Sequence, residues 1–207
     1  KSSQNHWKKQ TMSNRFFDLN KISNTNDAEP KQAKPFETKF LLNHFEKVKN
    51  LNKDLERLPS EGEQFWLQSD TQFNAFTFIP FITQYETIEH LYASTYSIAI
   101  RVVDSLIELH ENGKIDQITL LISDSLKQRN PKTIDKILAY ANHYPNLHIK
   151  FAWNHSKVAL AKTAFGHYII EGSGNWSENA HYEQYTFTNL QDAFDFRMKL
   201  FTETIER

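Results

Sequence analysis

Hydrophobic residues along this chain recur at the spacings of helices and strands. From Phe36 to Leu58 they stand three or four residues apart, which predicts an amphipathic helix over 36–58 that ends before Pro59 and Gly62. Beyond this helix, short apolar runs alternate with helical stripes. These patterns predict, in order, a strand at 65–67, a buried helix over 73–82 broken near Pro80, a strand at 90–96, a helix over 102–109, a strand at 118–122, a helix over 131–141, a strand at 147–153, a hairpin of 158–161 with 168–171, and a helix over 190–205.

This alternation predicts an α/β fold, in which a mixed β-sheet is flanked by helices. The run 118–122 is apolar at nearly every position, as expected of a strand that is covered on both faces. Gly166 separates the two halves of the predicted hairpin, which adds antiparallel pairing to the sheet. We therefore assign residues 59–207 to one α/β domain.

The N-terminal segment differs from this domain in composition and charge. Residues 1–35 are mostly polar, and Ser23–Pro30 has the composition of a linker, so we expect a flexible polar tail or part of a larger protein. Residues 1–57 contain 12 Lys and Arg against 7 Asp and Glu, whereas residues 58–207 contain 12 against 18. A second interpretation of the segment is therefore a basic arm that contacts phosphate.

Composition excludes several classes of protein. The chain has no Cys, so it forms no disulfide, no Cys-ligated metal site and no thiol nucleophile. Its net charge of −1 gives no overall sign of a nucleic-acid partner. No apolar run approaches the roughly 18 residues of a membrane span, and the N-terminus lacks a signal-peptide pattern. We expect a cytoplasmic protein without stable membrane association.

Candidate chemistry is concentrated between residues 153 and 185. His155 and Lys157 are two residues apart at the start of a predicted strand, so their side chains share a face of the sheet. Ser173 and Asn175 follow the neighbouring strand in a glycine-flanked turn and can lie beside them. Imidazole, ammonium, hydroxyl and amide groups together suit an anion with a reactive phosphorus, although a turn of this composition is also common without any function. No Asp, Glu and His here have metal-ligand spacing, so we expect neither metal nor cofactor.

His155-x-Lys157 followed by Gly172-Ser173-x-Asn175 resembles the His-x-Lys signature of the phospholipase D superfamily, which includes metal-independent nucleases. The stretch 172–185 looks like phospholipase D-like domain proteins. The resemblance implies a phospholipase D-like half unit in which His155 is the nucleophile and forms a phosphohistidine. It further implies that Lys157 and Asn175 hold the phosphate oxygens and that Ser173 supplies a hydroxyl beside them.

Two further positions follow from the resemblance. Glu183 matches the carboxylate that orients the histidine, and Lys162 stands where the signature has an Asp. The family's site needs two motifs, one histidine to attack and one to protonate the leaving oxygen. This chain has one such motif, so the resemblance implies a homodimer whose motifs face each other across a twofold axis.

The leading hypothesis is a metal-independent phosphodiesterase, an endonuclease acting on nucleic acid and first of all on DNA, with an active site shared across the homodimer. The alternative is a catalytically inactive phospholipase D-like module for nucleic-acid binding or assembly, which the replacement of Asp by Lys162 favours. A lipid phosphodiesterase is a weaker option, because the sequence shows no amphipathic membrane patch. The aromatic residues near the motif either stack on unpaired bases or pack the core: Trp153, Trp176, Tyr182 and Tyr185.

Overall fold

The structure of the protein is a computed structural model that describes residues 42–47, 49–177 and 181–206. The predicted polar tail at 1–35 lies outside the described residues. The strands are β1 (Leu42–Lys47), β2 (Glu63–Ser69), β3 (Ile88–Thr95), β4 (Ile115–Ser123), β5 (Leu147–Ala152), β6 (Val158–Thr163), β7 (His167–Gly172) and β8 (Glu183–Asn189). The helices are α1 (Leu51–Asp54), α2 (Phe78–Ile82), α3 (Ile100–Glu111), α4 (Leu126–Arg129), α5 (Pro131–His143) and α6 (Gln191–Thr202).

The strands form one mixed sheet in the order β1-β2-β8-β7-β6-β3-β4-β5. Strands β3, β4 and β5 are parallel to one another, whereas β6, β7 and β8 join by antiparallel pairing. The predicted α/β class, a mixed sheet flanked by helices, is confirmed. None of the helices within the described ranges combines the length and the apolar character needed to cross a membrane.

Helices cover the two faces of the sheet to different extents. On one face, α3 and α5 present buried stripes that include Val103, Leu106 and Ile137, and these join the main core. Helix α3 ends at Asn112, and Gly113 follows at φ +66°, a left-handed conformation that glycine adopts without steric cost. On the opposite face, α6 packs Phe194 and Phe201 over the middle of the sheet in a smaller cluster with Leu121, Leu160 and Ile169.

The predicted helix over 36–58 is wrong where the structure describes it. Residues 42–47 form β1, which pairs in parallel with β2, and only Leu51–Asp54 is helical. The reason lies at Asn50, whose backbone is extended (φ −148°) and whose side chain caps α1 by accepting the N–H of Asn52. A continuous helix cannot pass through an extended residue. The segment before Asn50 instead pairs its backbone N–H and C=O groups with those of β2.

Two elements were not predicted. Strand β8 joins β2 to β7, and its Tyr185 and Phe187 are buried in the main core. Helix α4 is a single turn that follows β4. The predicted broken helix over 73–82 is a 3₁₀ turn, Ala75–Thr77, that continues into α2.

Candidate functional site

The His-x-Lys segment lies at the carboxyl ends of the parallel strands. Strand β5 ends at Ala152 and β6 begins at Val158, so residues 153–157 cross from one strand to the other beyond the ends of β3 and β4. Open α/β sheets commonly bind ligands at this edge, because the loops that leave parallel strands gather there. The predicted site residues therefore lie at the edge where a ligand is expected.

Alternate residues of this segment anchor it to the sheet. Asn154 is buried, donates from Nδ2 to Ser94 Oγ (2.8 Å), and accepts the backbone N–H of Ser156 at Oδ1 (2.9 Å). The hydroxyls of Ser94 and Ser156 are also hydrogen-bonded, at 2.5 Å. These hydrogen bonds fix Asn154 and Ser156 against β3, so that His155 and Lys157, on either side of Ser156, are held next to each other.

The His155 and Lys157 side chains are in contact. Lys157 Nζ lies 3.2 Å from His155 Nδ1 and donates to the His155 carbonyl oxygen at 2.9 Å. Burial lowers the pKa of the Lys157 ammonium, and the negative charge of Glu183 opposes that change. The imidazole is exposed, so an anion approaching this edge meets a cation and a ring nitrogen together.

Ser173 and Glu183 form a second pair across the adjoining strands. The Ser173 hydroxyl donates to the Glu183 carboxylate and accepts the backbone N–H of Gln184 at 3.1 Å. Gly172 donates its N–H to Lys157 O at 3.3 Å, which joins this pair to the His-x-Lys segment. A Cβ atom at Gly172 would overlap Gln184 O and the Tyr185 ring, so the close approach of β7 to β8 requires glycine.

Glu183, Asn175 and Lys162 each have different surroundings in the structure. The Glu183 carboxylate engages Ser173, while His155 Nδ1 faces Lys157. Asn175 is half-buried in the loop after β7 and does not line the groove that holds His155 and Lys157. Lys162 lies near the far end of β6, where it pairs with Glu89 at 3.3 Å.

Tyr96 and Arg129 are two site residues that sequence reasoning missed. The Tyr96 ring lies 4.7 Å from the His155 ring, measured between centroids. The Arg129 guanidinium lies 4.2 Å from the centroid of Tyr96 and donates to the Tyr96 carbonyl oxygen at 3.1 Å. Tyr96 follows β3 and Arg129 ends α4, so the sheet topology brings both to the edge that holds His155.

The aromatic residues near the motif divide into two pairs. Trp176 and Tyr185 are each 3% exposed and belong to the main core, so they cannot stack on a ligand. Trp153 and Tyr182 are 81% and 77% exposed. The core interpretation therefore holds for Trp176 and Tyr185 but not for Trp153 and Tyr182.

A groove of about 1070 Å³ opens beside His155, Lys157 and Ser173. It continues beside α6, on the same face of the sheet, past Glu171 to Trp66 on β2. Within residues 42–47, 49–177 and 181–206, no three His, Asp or Glu side chains are grouped so as to hold a metal ion. The groove offers anion-binding and proton-transferring groups in the form of an ammonium, a hydroxyl and an imidazole.

No family model matches the chain, and no curated protein matches it in sequence. Solved structures to which the chain is similar include TrmBL2, an archaeal chromatin protein with a novel mode of DNA binding, at 14% identity, TM-score 0.46, and coverage of 68% of this chain and 51% of that one. They also include the polyphosphate kinase of Porphyromonas gingivalis, at 9% identity, TM-score 0.46, and coverage of 67% and 25%. A third is the phosphatidylserine synthase of Haemophilus influenzae Rd KW20, at 11% identity, TM-score 0.44, and coverage of 66% and 38%.

The kinase and the synthase are members of the phospholipase D-like superfamily. The chain spans between a quarter and about half of the length of these three proteins. At such low TM-scores and identities, the likenesses carry no conclusion about what this chain binds or catalyses.

Proposed function

We propose that the chain is a metal-independent phosphodiesterase, a nuclease acting on nucleic acid, with His155 as its nucleophile. The observation that supports this most is the exposed imidazole of His155 beside Lys157 Nζ, at the carboxyl edge of the sheet and on the same groove as Ser173. The resemblance of these residues to the phospholipase D signature supplies the reaction class.

The proposed reaction has two steps. In the first, His155 Nε2 attacks the phosphorus, a P–N bond forms, and the bond to the leaving oxygen breaks while that oxygen takes a proton. In the second, water attacks the phosphohistidine, gives up a proton and releases His155. Lys157 and Ser173 stabilise the negative charge that builds on the non-bridging oxygens in both steps.

The leaving oxygen needs a proton from a second acid. His155 is the single histidine among the residues that line the groove, so the imidazole of a second copy is the natural donor. We therefore propose a homodimer in which each chain supplies half of the site. The total cleavage rate should then fall faster than linearly on dilution through the range in which the dimer dissociates. A monomer by light scattering that cleaves at full rate would contradict the shared site.

Cleavage in the presence of EDTA tests the proposed activity. The protein should cut plasmid or single-stranded DNA with the chelator present, and His155→Ala should abolish the cutting while DNA binding survives. The matched control is His143→Ala, because His143 is exposed at the end of α5 and far from this edge in the topology. Equal loss in both variants, or an active His155→Ala protein, would overturn the proposal.

A second candidate function is a binding module that has lost turnover, and the contact at His155 Nδ1 favours it. A charged Lys157 can only donate, so Nδ1 accepts and the neutral ring carries its proton on Nε2, the atom that would have to attack. Attack therefore requires an arriving phosphate to draw Lys157 Nζ away from Nδ1. DNA binding without cleavage in any condition, unchanged in His155→Ala, would establish this candidate in place of the nuclease.

A further inference from the structure

The groove is longer than a phosphodiester requires. Its volume of about 1070 Å³ is at the upper end for sites that take a whole small molecule. From Val158, beside the His-x-Lys segment, the cross-strand register runs through Glu171 and Thr186 to Trp66. Three strand spacings separate Val158 from Trp66, a distance of about 14 Å.

Trp66 presents an indole at the far end of this groove. Strand alternation buries Phe65 and Leu67 in the core and turns Trp66 to the groove face, where it is 45% exposed. Around it the lining includes Gln68, Gln184 and Thr186, which are uncharged and able to hydrogen-bond. An exposed aromatic ring with uncharged polar neighbours suits a nucleobase, which offers a flat π-face and polar edges.

The charges of the groove are arranged for one phosphate rather than for a duplex. Arg197 donates to both carboxylate oxygens of Glu171, so this pair contributes no net charge to the groove floor. Lys157, at the His155 end, is the other cation among the lining residues. Binding along a duplex gains affinity from several neutralised phosphates, and residues 58–207 carry an excess of Asp and Glu.

We propose that the groove binds single-stranded nucleic acid, with an unpaired base stacked on Trp66 when the phosphate to be cut lies at His155. This inference rests on the proposed function, and it adds the strand type and a recognition residue. A base inside a duplex has both faces covered by its neighbours, whereas an unpaired base can place a face on the indole. Trp66 thereby selects single strands without reading their sequence.

The test compares one labelled oligothymidylate, alone and annealed to oligoadenylate, by fluorescence anisotropy and by cleavage in EDTA. We expect the single strand to bind at least about tenfold more tightly than the duplex. Trp66→Ala should weaken single-strand binding by about 5- to 100-fold, the range expected for loss of one stacked base, and Trp66→Phe should restore most of it. The matched control is Trp153→Ala, which removes an exposed tryptophan that does not line the groove.

The outcomes distinguish a failure of base binding at Trp66 from a failure of the proposed nuclease. Hydrolysis of bis(4-nitrophenyl) phosphate, whose rings are too short to reach Trp66 from His155, should be the same in Trp66→Ala as in the unaltered chain. Equal binding of duplex and single strand, or Trp66→Ala binding like Trp153→Ala, would overturn the inference while leaving the phosphodiesterase intact. If no diester is cut, the nuclease fails, and the anisotropy comparison still decides whether Trp66 binds a base.

Folding and self-association need one further measurement. Thermal unfolding of Trp66→Ala shows whether the substitution destabilises β2. If it does, Trp66→Leu, which keeps a larger apolar side chain but removes the aromatic ring, takes its place in the binding comparison. If light scattering shows a dimer that Trp66→Ala dissociates, a second copy of the chain occupies the groove and the nucleotide proposal is overturned.

Discussion

Two of the His–Lys pairs in the sheet differ in their surroundings, and one of these two has the surroundings of a site. His155 and Lys157 lie at the carboxyl edge, exposed to a groove and in contact with each other. His90 pairs in register with Lys162 between β3 and β6, toward the opposite edge. Both imidazoles contact a tyrosine ring, so residue type alone does not distinguish the two pairs.

The two pairs differ in the groups that each histidine and each lysine contacts. His90 stacks on Tyr92 with ring centroids 3.7 Å apart, and its Nε2 lies 3.0 Å from Thr119 Oγ1, while Lys162 is bound to Glu89. Burial, together with the positive charges of His148 and Lys162, lowers the pKa of His90 to about 4. The His90 pair is thus satisfied inside the fold, whereas the His155 pair has an open groove in front of it.

The largest expected difference between the pairs concerns the two lysines. Lys157→Ala should lower kcat/KM for a phosphodiester by about 100- to 1000-fold, because the charge that builds on the phosphate oxygens loses its cation. Lys162→Ala should leave kcat/KM within about twofold, since Lys162 contacts Glu89 on an exposed surface. Steady-state kinetics on one substrate gives kcat/KM for both variants. Similar losses of kcat/KM in the two would show that the His155 pair and the His90 pair do not differ in function.

A smaller difference is expected in the groups that support each imidazole. Arg129→Ala should lower kcat by about fivefold with little change in the unfolding temperature, because an exposed cation–π contact is worth ~1 kcal/mol and here it holds Tyr96 against His155. Thr119→Val should leave kcat unchanged and reduce the free energy of unfolding by ~1 kcal/mol, because the hydrogen bond to His90 is lost. Initial rates and urea unfolding are measured on both variants. If Arg129→Ala lowers the free energy of unfolding and leaves kcat unchanged, the role of Arg129 is only structural.

A third effect, similar in size to the second, is on the pH dependence of stability. Since the pKa of His90 is lowered from 6.5 to about 4, the unfolded chain binds a proton that the folded chain refuses between these values, and folding weakens as pH falls through that window. Between pH 7 and pH 5 the loss should be ~1 kcal/mol after allowance for partial solvent screening. His90→Gln should remove about that much of the pH dependence in urea titrations, and an unchanged slope would show that His90 titrates normally.

Part of the fold could be predicted where the spacing of apolar residues fits one kind of element, either a helix or a strand. The stripes of α3 and α5 and the continuous run of β4 are examples, and they lie in the core as expected. The helix over 36–58 was wrong because its spacing was helical while Asn50, a good N-cap, divided it into a strand and a separate turn. Strand β8 was missed although Tyr185 and Phe187 alternate with threonines, the pattern of a half-buried strand.

The site was predictable only where its residues are close in sequence. His155 and Lys157 are two positions apart, and Ser173 follows on a hairpin partner strand, so local geometry was enough to group them. Tyr96, Arg129 and Trp66 come from elements whose neighbours are fixed by the order of strands in the sheet. No local spacing marks these three residues, because they meet His155 or its groove through tertiary structure.

Trapping the covalent intermediate is the most direct test of whether His155 is the nucleophile. A labelled oligonucleotide is mixed with excess protein in EDTA, the reaction is stopped with denaturant at alkaline pH within the first turnover, and the peptides are analysed by mass spectrometry. We expect a nucleotidyl phosphate on the peptide that contains His155, and none in His155→Ala. Product formation in the first turnover with the His155 peptide unmodified, or with the adduct on another residue, would contradict it.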